Sequence, residues 1–130
     1  MELRIAQAQR AERAVLLIDD SITTRAPLGE FLRAHGYQVF EAANADEALD
    51  LLNSGLEIQV VVTDARVPGA MGGLALAEWV RKTRPEMRVL VLADPGAAPD
   101  LTSEGVACFT RPLPSTDLLA VLPPPTAETP

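Results

Sequence analysis

Three aspartates stand where apolar runs stop. Asp19 and Asp20 follow Val15-Leu16-Leu17-Ile18, and Asp64 follows Val60-Val61-Val62-Thr63. Each piece has an ordinary reading. Asp-Asp-Ser ahead of a helix is a start signal, and one Asp after a strand is a common turn residue. Gathered at one sheet edge, however, three carboxylates repel one another, and a hard divalent cation with oxygen ligands relieves this. Mg²⁺ typically takes a few carboxylates plus waters. A carboxylate beside such a cation can attack phosphorus, with catalysis coming from positioning and charge neutralisation rather than proton transfer. Arg111, just before Pro112, adds a cation that can bind phosphate or simply pair with the acids.

The elements that must hold these residues alternate in type. Val15-Leu16-Leu17-Ile18 and the run 58–63 are continuous apolar stretches, as in strands covered on both faces. Between them lie a helix carrying Leu28, Phe31 and Leu32, ended by Gly36, and a short strand over 38–42. Pro27 is predicted to fall in the first turn of that helix, where amide protons lack partners anyway. Asn44 and Glu47 have capping-box spacing ahead of Ala48, Leu49, Leu51 and Leu52, with Gly55 as terminator. After Asp64 a Pro/Gly-rich loop over 67–73 leads into a helix over 74–83, with Leu76, Trp79 and Val80 as its inner face. Strands follow over 88–93 and 106–110, then a short helix over 115–122. This alternation predicts an α/β fold with a parallel sheet and helices on both faces. Ligands of such sheets bind beyond the carboxyl ends of the strands, near the point where strand order reverses. Asp19, Asp20, Asp64, Ala93, Asp94 and Arg111 occupy those ends.

A chain of 130 residues with a net charge of −7 suits one acidic domain and argues against a nucleic-acid face. No apolar run is long enough to span a bilayer, and residues 1–13 lack the apolar centre of a signal peptide, so a cytoplasmic protein is expected. The single cysteine, Cys108, excludes an internal disulfide. Three segments are predicted: a polar helix or linker over 1–13, one domain over 14–122, and a Pro-rich disordered tail over 123–130.

The chain resembles the receiver domains of two-component signalling. The similarity rests on Val15-Leu16-Leu17-Ile18-Asp19-Asp20-Ser21, on Gly36-Tyr37-Gln38-Val39 through Asp46-Glu47-Ala48-Leu49, and on Val60-Val61-Val62-Thr63-Asp64 followed by Val67-Pro68-Gly69 and Gly72-Gly73-Leu74. The last loop is one residue longer than the commonest form, as in many receivers fused to histidine kinases. The resemblance implies a flavodoxin-like, doubly wound sheet of five parallel strands. It implies Asp64 as phosphoacceptor, with Asp19, Asp20, Asp64 and the backbone carbonyl of Arg66 around Mg²⁺. A histidine kinase or phosphotransfer protein would be the partner. The domain would not be an enzyme beyond self-phosphorylation from a phosphodonor and slow autodephosphorylation.

Four positions depart from the family pattern. Ala93 replaces the usual Thr or Ser, leaving only backbone to meet a phosphoryl group. Asp94 beside it reads as a cap or turn residue before Pro95. Arg111 replaces a lysine and is either a phosphate contact or a partner of the acidic cluster. Cys108 occupies the switch position usually held by an aromatic residue and reads as a small packing group, with Phe109 as core. The segment between Ala93 and Arg111 is also short and poor in helix formers, so the fourth helix is expected to be shortened or irregular and the fifth short. Two functions follow. One is a receiver phosphorylated on Asp64 that signals through protein contact. The other is a pseudo-receiver whose interactions do not depend on phosphorylation. A phosphatase of the haloacid dehalogenase type wants a second Asp two residues after the first, where Arg66 stands.

Overall fold

The computed structural model describes residues 13–69, 71–96 and 106–125. Five strands, β1 (Ala14–Ile18), β2 (Gln38–Ala42), β3 (Val60–Asp64), β4 (Arg88–Ala93) and β5 (Val106–Thr110), form one parallel sheet in the order β2-β1-β3-β4-β5. Four helices among the described residues, α1 (Ile22–Ala34), α2 (Ala45–Leu52), α3 (Gly73–Thr83) and α4 (Ser115–Val121), cover its two faces. This is the flavodoxin-like, doubly wound arrangement.

Alternation along the strands builds two cores from one sheet. Leu16, Ile18, Val61, Val89 and Val91 pack with Ala48, Leu52, Leu76 and Val80 of α2 and α3. Val15, Leu17, Val60, Val62, Leu90 and Leu92 pack with Leu32 of α1 and Leu118 of α4. Both faces of β1 and β3 are therefore dry, which explains why their sequences are apolar without interruption. β5 is an edge strand and only half covered.

Local signals operate as their chemistry requires. Asn44 Oδ1 accepts from the Glu47 amide at 2.8 Å, and Glu47 Oε1 accepts from the Ala43 amide at 3.2 Å, closing α2 at its start. Gly36 ends α1 with φ 94°, a left-handed conformation that suits glycine. Leu76, Ala77 and Val80 are the buried inner face of α3, and the half-buried Trp79 packs against the same core with the Arg84 guanidinium 5.8 Å from its ring centroid.

Three expectations change. Pro27 is not in the first turn of α1, because the helix begins at Ile22, where the Arg25 amide already bonds the Ser21 carbonyl at 2.9 Å. The helix tolerates Pro27 because both it and Thr23, whose carbonyl loses a donor, are on the exposed side. β3 starts at Val60 rather than at residue 58. The beginning of the predicted tail is held against the domain: Pro123 is buried, its carbonyl accepts the Tyr37 hydroxyl at 2.5 Å, and the Pro125 carbonyl accepts the Arg13 amide at 2.6 Å. Residues 126–130 and 1–12 lie outside the described residues, as does most of the segment predicted to carry an irregular helix, 97–105. Helix α4 is short, as expected, with seven residues. Among the described residues no helix is long and apolar enough to cross a membrane.

The Tyr37 hydroxyl and the Pro123 carbonyl are a buried pair. Tyr37→Phe is expected to lower unfolding free energy by about 1–2 kcal/mol in urea titrations, because it strands a carbonyl as well as removing a hydrogen bond.

Candidate functional site

The order of strands reverses between β1 and β3, and the register there pairs Ile18 with Thr63. Asp19 and Asp64 are each one residue further on, so they lie side by side at the carboxyl edge of the sheet. Each carboxylate is anchored by a backbone amide of its own loop. Asp19 Oδ1 accepts from the Ser21 amide at 2.9 Å, and Asp64 Oδ1 accepts from the Arg66 amide at 2.8 Å. These are Asx-type turns, in which a short acid satisfies the amide two residues on.

Their second oxygens face a shared cation. Arg111 Nη1 donates to Asp64 Oδ2 at 3.0 Å and Nη2 to Asp19 Oδ2 at 3.3 Å. The Arg111 backbone amide is bonded to the Ala93 carbonyl at 2.7 Å, which fixes where the side chain sets out. Asp94 Oδ1 stands 4.0 Å from Nη1 on the exposed rim. Burial pushes the Asp19 carboxyl above its ordinary range, and the Asp64 and Asp20 charges push it the same way. The Ser21 amide and Arg111 act against this without cancelling it.

Beside the ion pairs lies a cavity of about 260 Å³ between α1, α4 and the sheet. Leu17, Leu28, Val62, Leu92 and Leu113 form its apolar part, and Asp19, Asp64, Arg25 and Arg111 its charged part. The remaining predicted residues divide. Asp20 is exposed, near enough to Asp19 to raise its pKa. The Arg66 side chain is also exposed. Ala93 is buried, 1% exposed, and offers no hydroxyl. Cys108 pairs in register with Val91, two residues short of the level of Ala93, and packs against the α2/α3 core, with burial pushing its thiol pKa up. Phe109 points to the opposite core.

Arg25, Arg33 and Glu41 escaped the sequence reading, and Gly69 and Gly73 were read there only as loop glycines of the motif. Arg25 Nη1 donates to the Asp19 carbonyl at 2.5 Å and its Nε to Glu41 Oε1 at 3.0 Å, while Arg33 holds Glu41 Oε2 at 3.2 Å. The available signal was Glu41, the one charge in β2, with Arg25 one helical turn after Ser21. Gly73 is a second case. A Cβ there would lie 2.0 Å from the Asp64 carbonyl oxygen, so only glycine lets α3 start so close to the loop after Asp64. Gly69 is a third, with φ 130° and a Cβ position 3.1 Å from Ala45 Cβ. It lets the loop dock where the Ala45 amide bonds the Pro68 carbonyl at 2.9 Å.

The chemistry suits a hard cation, since Asp19, Asp20, Asp64 and the Arg66 carbonyl offer only oxygen donors and like charge already raises the Asp19 pKa. Among the described residues no three His, Cys, Asp or Glu side chains converge as a ready metal site. In this conformation the charge compensation comes from Arg111.

Two consequences can be measured. Gly73→Ala is expected to destabilise the fold by about 1–3 kcal/mol in denaturant titrations, as overpacking against rigid backbone does. Asp19 has a folded pKa above its ordinary 3.8, so the folded state favours the protonated acid. The resulting penalty is absent below the unfolded pKa, grows as pH rises, and is complete above the folded value. Asp19→Asn in metal-free buffer should therefore raise Tm by a few degrees at pH 7, with the gain vanishing toward pH 3.8.

Known proteins share this fold. Residues 15–108 match the response regulator receiver domain family. The chain is 34% identical over 112 residues to sensor kinase CckA of Brucella abortus, covering 85% of this chain and 11% of that protein. It is 31% identical over 78 residues to sporulation initiation phosphotransferase F of Bacillus subtilis, covering 60% of this chain and 61% of that protein. The chain thus spans less than two thirds of either relative. Among solved structures, the receiver domain of NtrX from Brucella abortus superposes with a TM-score of 0.74 at 26% identity, over 82% of this chain and 92% of that one. Sheet order, paired acids at the strand ends and sequence similarity agree: the chain belongs to the response regulator receiver domain family of two-component signalling.

Proposed function

We propose that Asp64 is the phosphoacceptor of a phosphorelay receiver that takes its phosphoryl group from a histidine kinase or phosphotransfer protein and signals through protein contact. The observation that carries this is the position of Asp64. It is the last residue of the central strand, its carboxylate is partly exposed, and it lies beside Asp19 at the point where strand order reverses. An Asp64 oxygen lone pair forms the new O–P bond while the P–N bond of a phosphohistidine breaks, and the imidazole nitrogen keeps that electron pair. The Arg66 amide holds the acceptor carboxylate in place during the transfer. Arg111 supplies positive charge to the transferring oxygens. Asp19, Asp20, Asp64 and the Arg66 carbonyl would hold Mg²⁺, which neutralises charge between carboxylate and phosphoryl oxygens when bound. Ala93 contributes only main chain, so transfer is slow relative to a site with a hydroxyl there. The acidic balance of the chain, −7, supports a protein partner in the cytoplasm rather than nucleic acid or an anionic membrane surface.

A second reading has its own support: Arg111 already neutralises the acceptor, and both Ala93 and Cys108 lack the groups that would relay a change. In that case the domain is a pseudo-receiver whose partner binding is constitutive, and Asp64→Asn leaves that binding intact.

Intact-protein mass spectrometry after incubation with acetyl phosphate and Mg²⁺ separates the two. One phosphoryl adduct on the wild type and none on Asp64→Asn is the expected result. No adduct with either acetyl phosphate or a phosphorylated kinase domain would leave the pseudo-receiver reading standing alone.

A further inference from the structure

We propose that Arg25 is a positioning residue of the acidic site, held in place by Glu41, and that it aims Asp20 at the cation by fixing the main chain on either side of it. This rests on the receiver reading of the site and assigns a role to residues which that reading leaves out.

Asp20 has no hold of its own. Its side chain is exposed and makes no hydrogen bond or ion pair among the described residues. Its direction therefore follows from the backbone around it. Arg25 grips that backbone twice: its amide bonds the Ser21 carbonyl at 2.9 Å, and its Nη1 donates to the Asp19 carbonyl at 2.5 Å. Because a peptide unit is planar, fixing the Asp19 carbonyl also fixes the amide and Cα of Asp20. The Asp19 amide, bonded to the Ala42 carbonyl at 3.1 Å, anchors the same stretch from the strand side.

A guanidinium serves this purpose only if it is itself held. Arg25 Nε donates to Glu41 Oε1 at 3.0 Å, and the Arg25 side chain is 12% exposed. Arginine suits the task because its planar fork serves two acceptors in fixed directions, whereas lysine offers one point charge. Arg33 fixes Glu41 in turn, through Oε2 at 3.2 Å. Arg25, Gly29 and Arg33 recur every four residues along α1 and so form one stripe. Gly29 is the notch in that stripe, since a Cβ there would lie 3.1 Å from Glu41 Oε2. Glu41 and Arg33 alone would tie α1 to β2. The Arg25 bond to the Asp19 carbonyl extends the tie to the acids.

Isothermal titration with MgCl₂ tests the assignment, using wild type, Arg25→Met, Arg25→Lys and Glu41→Met, with folding of each checked by circular dichroism. Tyr37→Phe, altered at the opposite end of the sheet, is the control for lost stability. Replacing a residue that orients metal ligands from behind commonly costs about 10- to 100-fold in affinity. Arg25→Met is therefore expected to bind Mg²⁺ at least about tenfold more weakly than wild type. Arg25→Lys, which keeps one donor for the carbonyl, is expected to recover at least part of that loss. Glu41→Met frees the guanidinium without removing it and is expected to weaken binding in the same direction; it decides the matter if Arg25→Met does not fold. Tyr37→Phe is expected to bind Mg²⁺ like wild type. Unchanged affinity in the folded Arg25 or Glu41 variant, or an equal loss in Tyr37→Phe, overturns the positioning role while wild-type binding leaves the receiver reading intact. Absence of Mg²⁺ binding by the wild type overturns both the positioning role and metal-dependent acceptance.

Discussion

Two carboxylates at the ends of neighbouring parallel strands, partly out of water, place a standing demand for positive charge on this fold. Arg111 meets it by bonding Asp64 and Asp19 at once. The rest of the carboxyl edge is arranged around that contact. Backbone amides of the two acidic loops take the remaining carboxylate oxygens. Arg25 braces the Asp19 carbonyl, and is itself held by Glu41. Gly73 lets the first turn of α3 approach the Asp64 carbonyl. Removing Arg111 would leave two like charges facing each other while still shielded from water.

The same contact explains how several departures from the family pattern coexist in one chain. A hydroxyl at position 93 and an aromatic residue at position 108 would each be groups able to change place when charge on Asp64 changes. Ala93 is buried and Cys108 packs into the α2/α3 core, so neither offers that freedom. The long side chain of Arg111 instead has acids on both its inner and outer sides. Arg111, in the β5–α4 connection, is thus the one side chain of these three positions that contacts the acids.

The opposite pole of the sheet is closed by a different device. Tyr37 and Arg13 tie Pro123 and Pro125 across the amino ends of the strands, with Pro125 Cβ 3.3 Å from the Cβ position of Gly36. The chain leaving α4 therefore runs beneath β1 and returns close to where β1 begins. Charge chemistry sits at one end of the sheet and the strap at the other, about one strand length apart.

Much of this was legible in the sequence for physical reasons. Uninterrupted β-branched runs such as Val60-Val61-Val62 favour strands buried on both faces, and alternation of such runs with capped helical segments leaves few topologies besides a doubly wound sheet. Asp19, Asp20, Asp64 and Arg111 were identifiable because strand ends are where such sheets place chemistry. Spacing carries no information about which of several acids a cation will reach. That Arg111 spans Asp19 and Asp64 while Asp20 faces solvent follows from strand register and from the anchoring of its backbone to Ala93. The Pro-rich run after residue 122 has the composition of an extended tail, and no local rule reveals that Tyr37, 86 positions away, will bond its first carbonyl. Local periodicity determined the elements. Contacts between residues distant in the chain, set by sheet register and by burial of polar groups, decided how those elements make a site.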